Sequence, residues 1–167
     1  MNAVDILKYG HLTFLGTLAR VPVPAWQAGG VCGVWSVKDI IAHLDTFEEL
    51  LVDILGTFLG AEQAPRLDRF LQLGPPVNDI TVAERQAASA EEILAAYNVH
   101  HAAVMDLIPQ IPVARCYQPG TLPWYGPEYA LDDYLVYQFY GHKREHSAQI
   151  GVYADLVEEQ QATPTAT

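Results

Sequence analysis

Two histidines stand four residues apart in Gly141-His142-Lys143-Arg144-Glu145-His146. On a helix that spacing puts both rings on one face, one turn above the other. Neutral imidazole is a ligand for zinc, nickel, copper or iron, and the i, i+4 spacing lets two ring nitrogens reach one ion without backbone distortion. A third histidine, His43, lies between Ile40 and Phe47 in a long apolar stripe, so it is expected to face a core rather than water. The other registers of that stripe put Lys38, Asp45, Glu48 and Glu49 outward. Three neutral histidines around one ion leave a fourth position open, as in catalytic rather than closed structural zinc sites. The alternative for each ring is a hydrogen-bonded core histidine, and with six histidines in the chain the spacing alone does not choose between the two.

The elements that must position these rings read as four amphipathic helices. The first runs from about Val4 to Leu18, with Ile6, Leu7, His11, Phe14, Leu15 and Leu18 recurring at spacings of three and four. Pro22 and Pro24 stop it, and residues 20–35 form a connection. Ser36 is a good N-cap for the second helix, and Asp39 three residues on completes a capping box with Asp in place of Glu or Gln. Ile40, His43, Phe47, Leu50, Leu51, Ile54 and Phe58 then share a face, up to a stop near Gly60. Residues 61–88 are a long connection of the kind that covers sites, with a short helix over Arg66 to Leu73, a break at Gly74-Pro75-Pro76, and an extended or weakly helical stretch from Asn78 to Ala88. Ser89 and Glu92 open the third helix, which Pro109 and Pro112 close. Residues 113–130 carry strong turn signals. The fourth helix spans Leu131 to about Glu159, with Gly141 in its middle as a point of close packing or a small bend. No strand-period segment competes. The expectation is an all-α, antiparallel four-helix bundle with long proline-rich connections, a single domain over 1–159 and a flexible tail over 160–167.

Twenty acidic against nine basic residues give a formal charge of −11, which repels phosphate backbones and anionic membranes and excludes general electrostatic binding of nucleic acid. No apolar run reaches the roughly 18–20 residues needed to cross a bilayer. Asp5 stands where a secretory signal carries positive charge, so a cytoplasmic protein is expected. Cys32 and Cys116 are read as free thiols.

Around the three histidines, Glu48 is a candidate acceptor for an imidazole N–H, and Gln149, one turn beyond the pair, a candidate donor to a ligand. Glu145 points away from the His142–His146 face and is read as a surface residue. Trp124, Tyr125, Tyr137 and Tyr140 are candidates to line a pocket, with core packing as the alternative. His100 and His101 are adjacent, hence about 100° apart on a helix, and cannot share one compact site. His11 is read as a core residue.

The segment Trp35-Ser36-Val37-Lys38-Asp39-Ile40-Ile41-Ala42-His43-Leu44, followed far downstream by Tyr140-Gly141-His142-Lys143-Arg144-Glu145-His146, resembles the DinB-like superfamily. The closest flavour is its four-helix branch that includes colibactin self-resistance proteins. The resemblance covers nearly the whole chain in order and spacing. It implies a divalent transition metal, zinc or nickel, held by His43, His142 and His146. It further implies transfer of a low-molecular-weight thiol to a small electrophile, or its isomerisation or hydrolysis, in stress or detoxification. Two other readings stay open. One is a metal-free small-molecule binding or toxin self-resistance protein. The other is a non-catalytic interaction protein, for which the bundle leaves room for a homodimer.

Overall fold

A computed structural model describes residues 2–162 of the chain. Within them the structure is helical, with no strand and a single isolated bridge between Cys32 and Trp35. Four long helices form the body: α1 (Ala3–Leu18), α2 (Val37–Phe58), α5 (Ala90–Leu107) and α8 (His142–Ala162). Shorter ones stand between them: α3 (Pro65–Leu73), α4 (Val77–Glu84), α6 (Val113–Cys116) and α7 (Leu131–Leu135). The expectation of four helices is thus corrected upward, because the proline-punctuated connections still form short helices, from about one turn in α6 to more than two in α3. The second half of the long connection, 77–84, is helical and not extended. The helix α8 continues to Ala162, three residues into the expected tail, and the rest of that tail, 163–167, lies outside the described residues.

Both capping boxes form. The Ser36 hydroxyl accepts from the Asp39 N–H while the Asp39 carboxylate accepts from the Ser36 N–H, and Ser89 and Glu92 repeat the exchange. Each satisfies two N–H groups that have no partner within the helix. The two helices that begin this way pack side by side.

They also run in the same direction, which corrects the antiparallel expectation. The first half of α2 (Val37, Ile40, Ile41, Leu44) shares a core layer with Ala90, Ile93 and Tyr97 at the start of α5. The second half (Leu50, Leu51, Ile54, Leu55) meets Val104 and Ile108 at its end. Two parallel neighbours cannot be joined by a tight turn. The chain must travel back along the bundle, and residues 59–89, carrying α3 and α4, are that crossover. The helices α1 and α8 are likewise parallel to each other and antiparallel to the α2–α5 pair. Phe14 and Leu18 of α1 and Ile150 and Ala154 of α8 fall in the layer with the start of α2, and Ile6, Leu7, Leu135 and Phe139 in the layer with its end. Gly10 lets α1 closely approach the residues just before α8, since a Cβ there would sit 3.4 Å from the Tyr140 Cα.

The four long helices divide into two packed pairs. The helix α2 packs chiefly on α5, and α8 chiefly on α1, so α2 and α8 face each other across the bundle. With α5 on one side and α3 and α4 on another, α2 has little free surface. Asp45 and Glu48, expected outward, are therefore buried, each ion-paired from another helix.

Between α7 and α8 the helix widens into a π turn over Val136–Gly141. A Cβ on the exposed Gly141 would meet the Val136 carbonyl oxygen at 3.2 Å, so this glycine marks a local widening and no neighbouring helix presses on it. Such turns recur next to functional sites, and the residue after this one is His142. No helix among the described residues is long and apolar enough to cross a membrane.

Candidate metal centre

His43 projects from α2 two turns past the Ser36 cap, and His142 and His146 project from α8 directly after the π turn. Across the bundle the His43 Nε2 lies 2.8 Å from the His142 Nε2, which lies 3.0 Å from the His146 Nε2. One nitrogen from each ring falls within 4.8 Å of the others.

The opposite ring nitrogens explain why the Nε2 atoms converge. The His142 Nδ1–H donates to the Gln138 carbonyl at 3.3 Å, and the His146 Nδ1–H donates to the Gln149 Oε1 at 2.8 Å. Each acceptor fixes a tautomer and leaves Nε2 as a lone pair. Two lone pairs then face each other at 3.0 Å, an arrangement that repels until a cation lies between them. Three tetrahedral ligands at about 2.0–2.1 Å from one ion stand about 3.3 Å apart, a few tenths of an ångström wider than the His43–His142 and His142–His146 pairs, with the third pair within 4.8 Å. The donor set therefore fits a divalent transition metal.

Burial reinforces this. It is the largest cause pushing the His43 pKa down to about 2, with the neighbouring charges of His142 and His146 adding to it. Burial and then His146 lower His142 to about 4. Burial also lowers His146, against the opposing effect of its hydrogen bond to Gln149. All three rings are neutral at pH 7, the form that ligates.

Two aromatic rings enclose the cluster. Trp35 packs 4.9 Å from His43, and Phe47 lies 4.9 Å from His43 and 4.8 Å from His142. His43 and His146 are buried and His142 is half-buried, so the cluster opens to solvent on the His142 side. Phe47 also packs 5.9 Å from Phe70, which lines a cavity of about 80 Å³ between α2, α3 and α4 with Thr46, Leu50, Arg66 and Arg85. A larger cavity of about 190 Å³ lies away from the histidines, among Val4, Ile108, Ile111, Cys116 and Asp132.

The remaining site candidates divide. Gln149 sits at the cluster, where its oxygen accepts from His146. Glu48 does accept an imidazole N–H, but from His101 at 3.3 Å and not from the three clustered rings, and it is ion-paired with Lys143. The rings packed on Trp124 are Tyr125 and Tyr134. Tyr140 packs beside Gly10 and Arg144, and Tyr137 is exposed. The aromatic rings in contact with the cluster are Trp35 and Phe47, the latter in a stripe that reads as core from sequence. His100 pairs with Asp45 at 2.6 Å, and His11 stacks on His101 with ring centroids 3.7 Å apart. Glu145 is exposed, Cys32 is a half-buried free thiol and Cys116 a buried one.

The family model described as the mycothiol maleylpyruvate isomerase N-terminal domain matches residues 10–130. That span contains His43 and ends before His142 and His146. No curated protein and no solved structure matches. The match supports the DinB-like resemblance in general and does not extend to the colibactin self-resistance branch. With most of its length covered, including the capping-box helices and their crossover, the chain belongs to the mycothiol maleylpyruvate isomerase N-terminal domain family of the DinB-like superfamily.

Proposed function

We propose that this protein is a divalent-metal-dependent enzyme that presents a water or a low-molecular-weight thiol to a small electrophilic substrate, with His43, His142 and His146 holding the ion. One observation carries the reading: two Nε2 lone pairs face each other at 3.0 Å while both Nδ1 atoms are committed to oxygen acceptors. Zinc or nickel suits a three-imidazole set. When bound, such an ion supplies the Lewis acidity that makes a water or thiol nucleophilic near neutral pH.

The chain's own residues do the rest. Gln149 and the Gln138 carbonyl orient the two rings of α8. Trp35 and Phe47 exclude water from the α2 side, and the half-buried His142 edge is left for substrate to approach. The family's name joins mycothiol to an isomerase, which favours a small thiol over water as the co-reactant. A thiol co-reactant needs a reducing compartment, which favours the cytoplasm.

Elemental analysis of protein purified without a histidine tag tests this beside the His142→Ala variant. About one transition-metal ion per chain, lost in the variant, is the expected result. A wild type that takes up neither zinc nor nickel overturns the metal reading in favour of a metal-free small-molecule binding protein.

A further inference from the structure

Beside the three histidines lies a second polar layer that the metal reading leaves unused. It draws one residue from each long helix: His11 of α1, Glu48 of α2, His101 of α5 and Lys143 of α8. Glu48 and Lys143 are among the most buried residues of the chain, at 0% and 1% exposure, and are ion-paired to each other. The second Glu48 oxygen accepts from the His101 Nδ1–H, and His101 stacks nearly parallel on His11. The Lys143 Nζ is held laterally over the Tyr97 and Phe139 rings, at 5.5 and 5.8 Å. Burial pushes the Glu48 carboxyl up, but the Lys143 ammonium and the His101 hydrogen bond outweigh it and hold the carboxyl down at about 2.

A pair this deeply buried gains little stability over apolar side chains of the same volume, and the best-attested use of such pairs is to fix register. Register is what this bundle needs at this point. The helices α2 and α8 face each other with few close approaches, each packed mainly on a different neighbour. Apolar packing on α5 and α1 leaves the axial offset between α2 and α8 weakly specified, and a helix sliding by one residue moves a side chain by about 1.5 Å. That shift is about half the spacing of the histidine nitrogens. Lys143 adjoins His142 in sequence, and Glu48 is little more than one turn from His43.

We infer that the Glu48–Lys143 pair is a positioning device that sets the register of α8 against α2, so that His142 and His146 meet His43. The link to metal rests on the proposed metal centre, whereas the register claim concerns the bundle alone. The test therefore reads both. In the double variant Glu48→Leu/Lys143→Met the buried charges are gone and the volume is roughly kept, so the fold is expected to survive.

Two measurements follow. On metal-free protein, nuclear Overhauser effects from the His43 ring to the His142 and His146 rings report register directly. On protein titrated with Co²⁺ against a chromogenic chelator, affinity and the visible spectrum report the site. The double variant is expected to show no ring-to-ring Overhauser effects, Co²⁺ affinity lower by about tenfold or more and an altered spectrum, with far-UV circular dichroism unchanged. Glu48→Gln, which keeps an acceptor for Lys143, is expected to retain the wild-type Overhauser effects. A folded double variant with wild-type Overhauser effects and wild-type affinity overturns the inference. If those effects vanish in the double variant while the wild type itself binds no Co²⁺, the register claim stands and the metal reading falls. If the apolar pair does not fold, Glu48→Gln/Lys143→Gln carries the same comparison.

Discussion

The Gln149 Oε1 accepts the Nδ1–H of His146 at 2.8 Å, and that one bond decides which nitrogen of His146 faces His142. Without the acceptor, the proton of the neutral ring is free to move to Nε2, where it blocks ligation. Gln149→Leu is therefore expected to lower metal affinity by about 10–100-fold while leaving the bundle intact. Gln149→Glu, which keeps the acceptor and adds charge, should retain or raise it. Competition against a chelator of known affinity checks both. Equal affinity in the leucine variant would mean that packing alone orients the ring.

The lowered histidine pKa values make a prediction about pH. A ring near 6.5 in the unfolded chain is held at about 2 for His43, about 4 for His142 and about 3 for His11. Below pH 6.5 the unfolded state then binds protons that the folded state refuses, so stability rises with pH across this window and is lost as pH falls through it. Each such ring contributes about 1.4 kcal/mol per pH unit at most. Urea midpoints of metal-free protein should be flat from about pH 8 to 7 and fall steadily from about 6.5 to 4. His142→Ala should show a slope smaller by about one proton over that range. A wild type equally stable at about pH 4.5 and pH 7 would show that these rings are solvated.

Much of this site can be read from residues alone. Ser36-Asp39 and Ser89-Glu92 announce helix starts through local hydrogen bonds, and local chemistry is what a sequence displays. His43, His142 and His146 are likewise visible as types and spacing. Lys143 is not. In Lys143-Arg144-Glu145 a lysine reads as surface, and its burial depends on Glu48, 95 residues away, which itself reads as outward-facing. The direction of α5 is equally hidden, because a stripe on a helix does not say which way its neighbour runs. The π turn before His142 has no signature of its own. Gly141 hints at a bend, but the turn also carries the buried Phe139 within it and is followed by the buried Lys143, which the sequence does not mark as buried.

Close approach of α1 to the π turn makes Gly10 a sensitive position. A Cβ would meet the Tyr140 Cα at 3.4 Å and the Lys143 Cδ at 3.6 Å, which is near ordinary contact. Gly10→Ala should thus change stability little, or raise it through better helix propensity. Gly10→Val adds two methyl groups where backbone cannot yield, and should destabilise by about 1–3 kcal/mol. Because α8 would be pushed away from α1, the valine variant should also bind metal less tightly than the alanine variant. Chemical denaturation and metal titration of the two variants, side by side, check the ordering.

Arg85 ties the crossover to α2. At the end of α4 its Nε donates to Asp45 at 3.2 Å, its second terminal nitrogen to Glu49 at 2.8 Å, and the first to the Thr81 carbonyl at 3.2 Å. Asp45 is buried, and that burial pushes its carboxyl up against the opposing effects of His100 and Arg85. Arg85→Ala leaves that carboxylate with His100 alone, at an expected cost of about 1–3 kcal/mol, less than for a fully buried pair because Arg85 is itself partly solvated. The cost should fall mostly on the crossover, which is held otherwise by Arg66 on Asp53, by Gln86 on Lys38 and Asp39, and by buried apolar side chains such as Leu67, Val77 and Val82. Limited proteolysis of the variant should therefore cut within residues 61–88 faster than in the wild type, with the His43–His142–His146 cluster still able to take up metal. Cleavage at the wild-type rate would assign the docking of α3 and α4 to those other contacts instead of the Arg85 network.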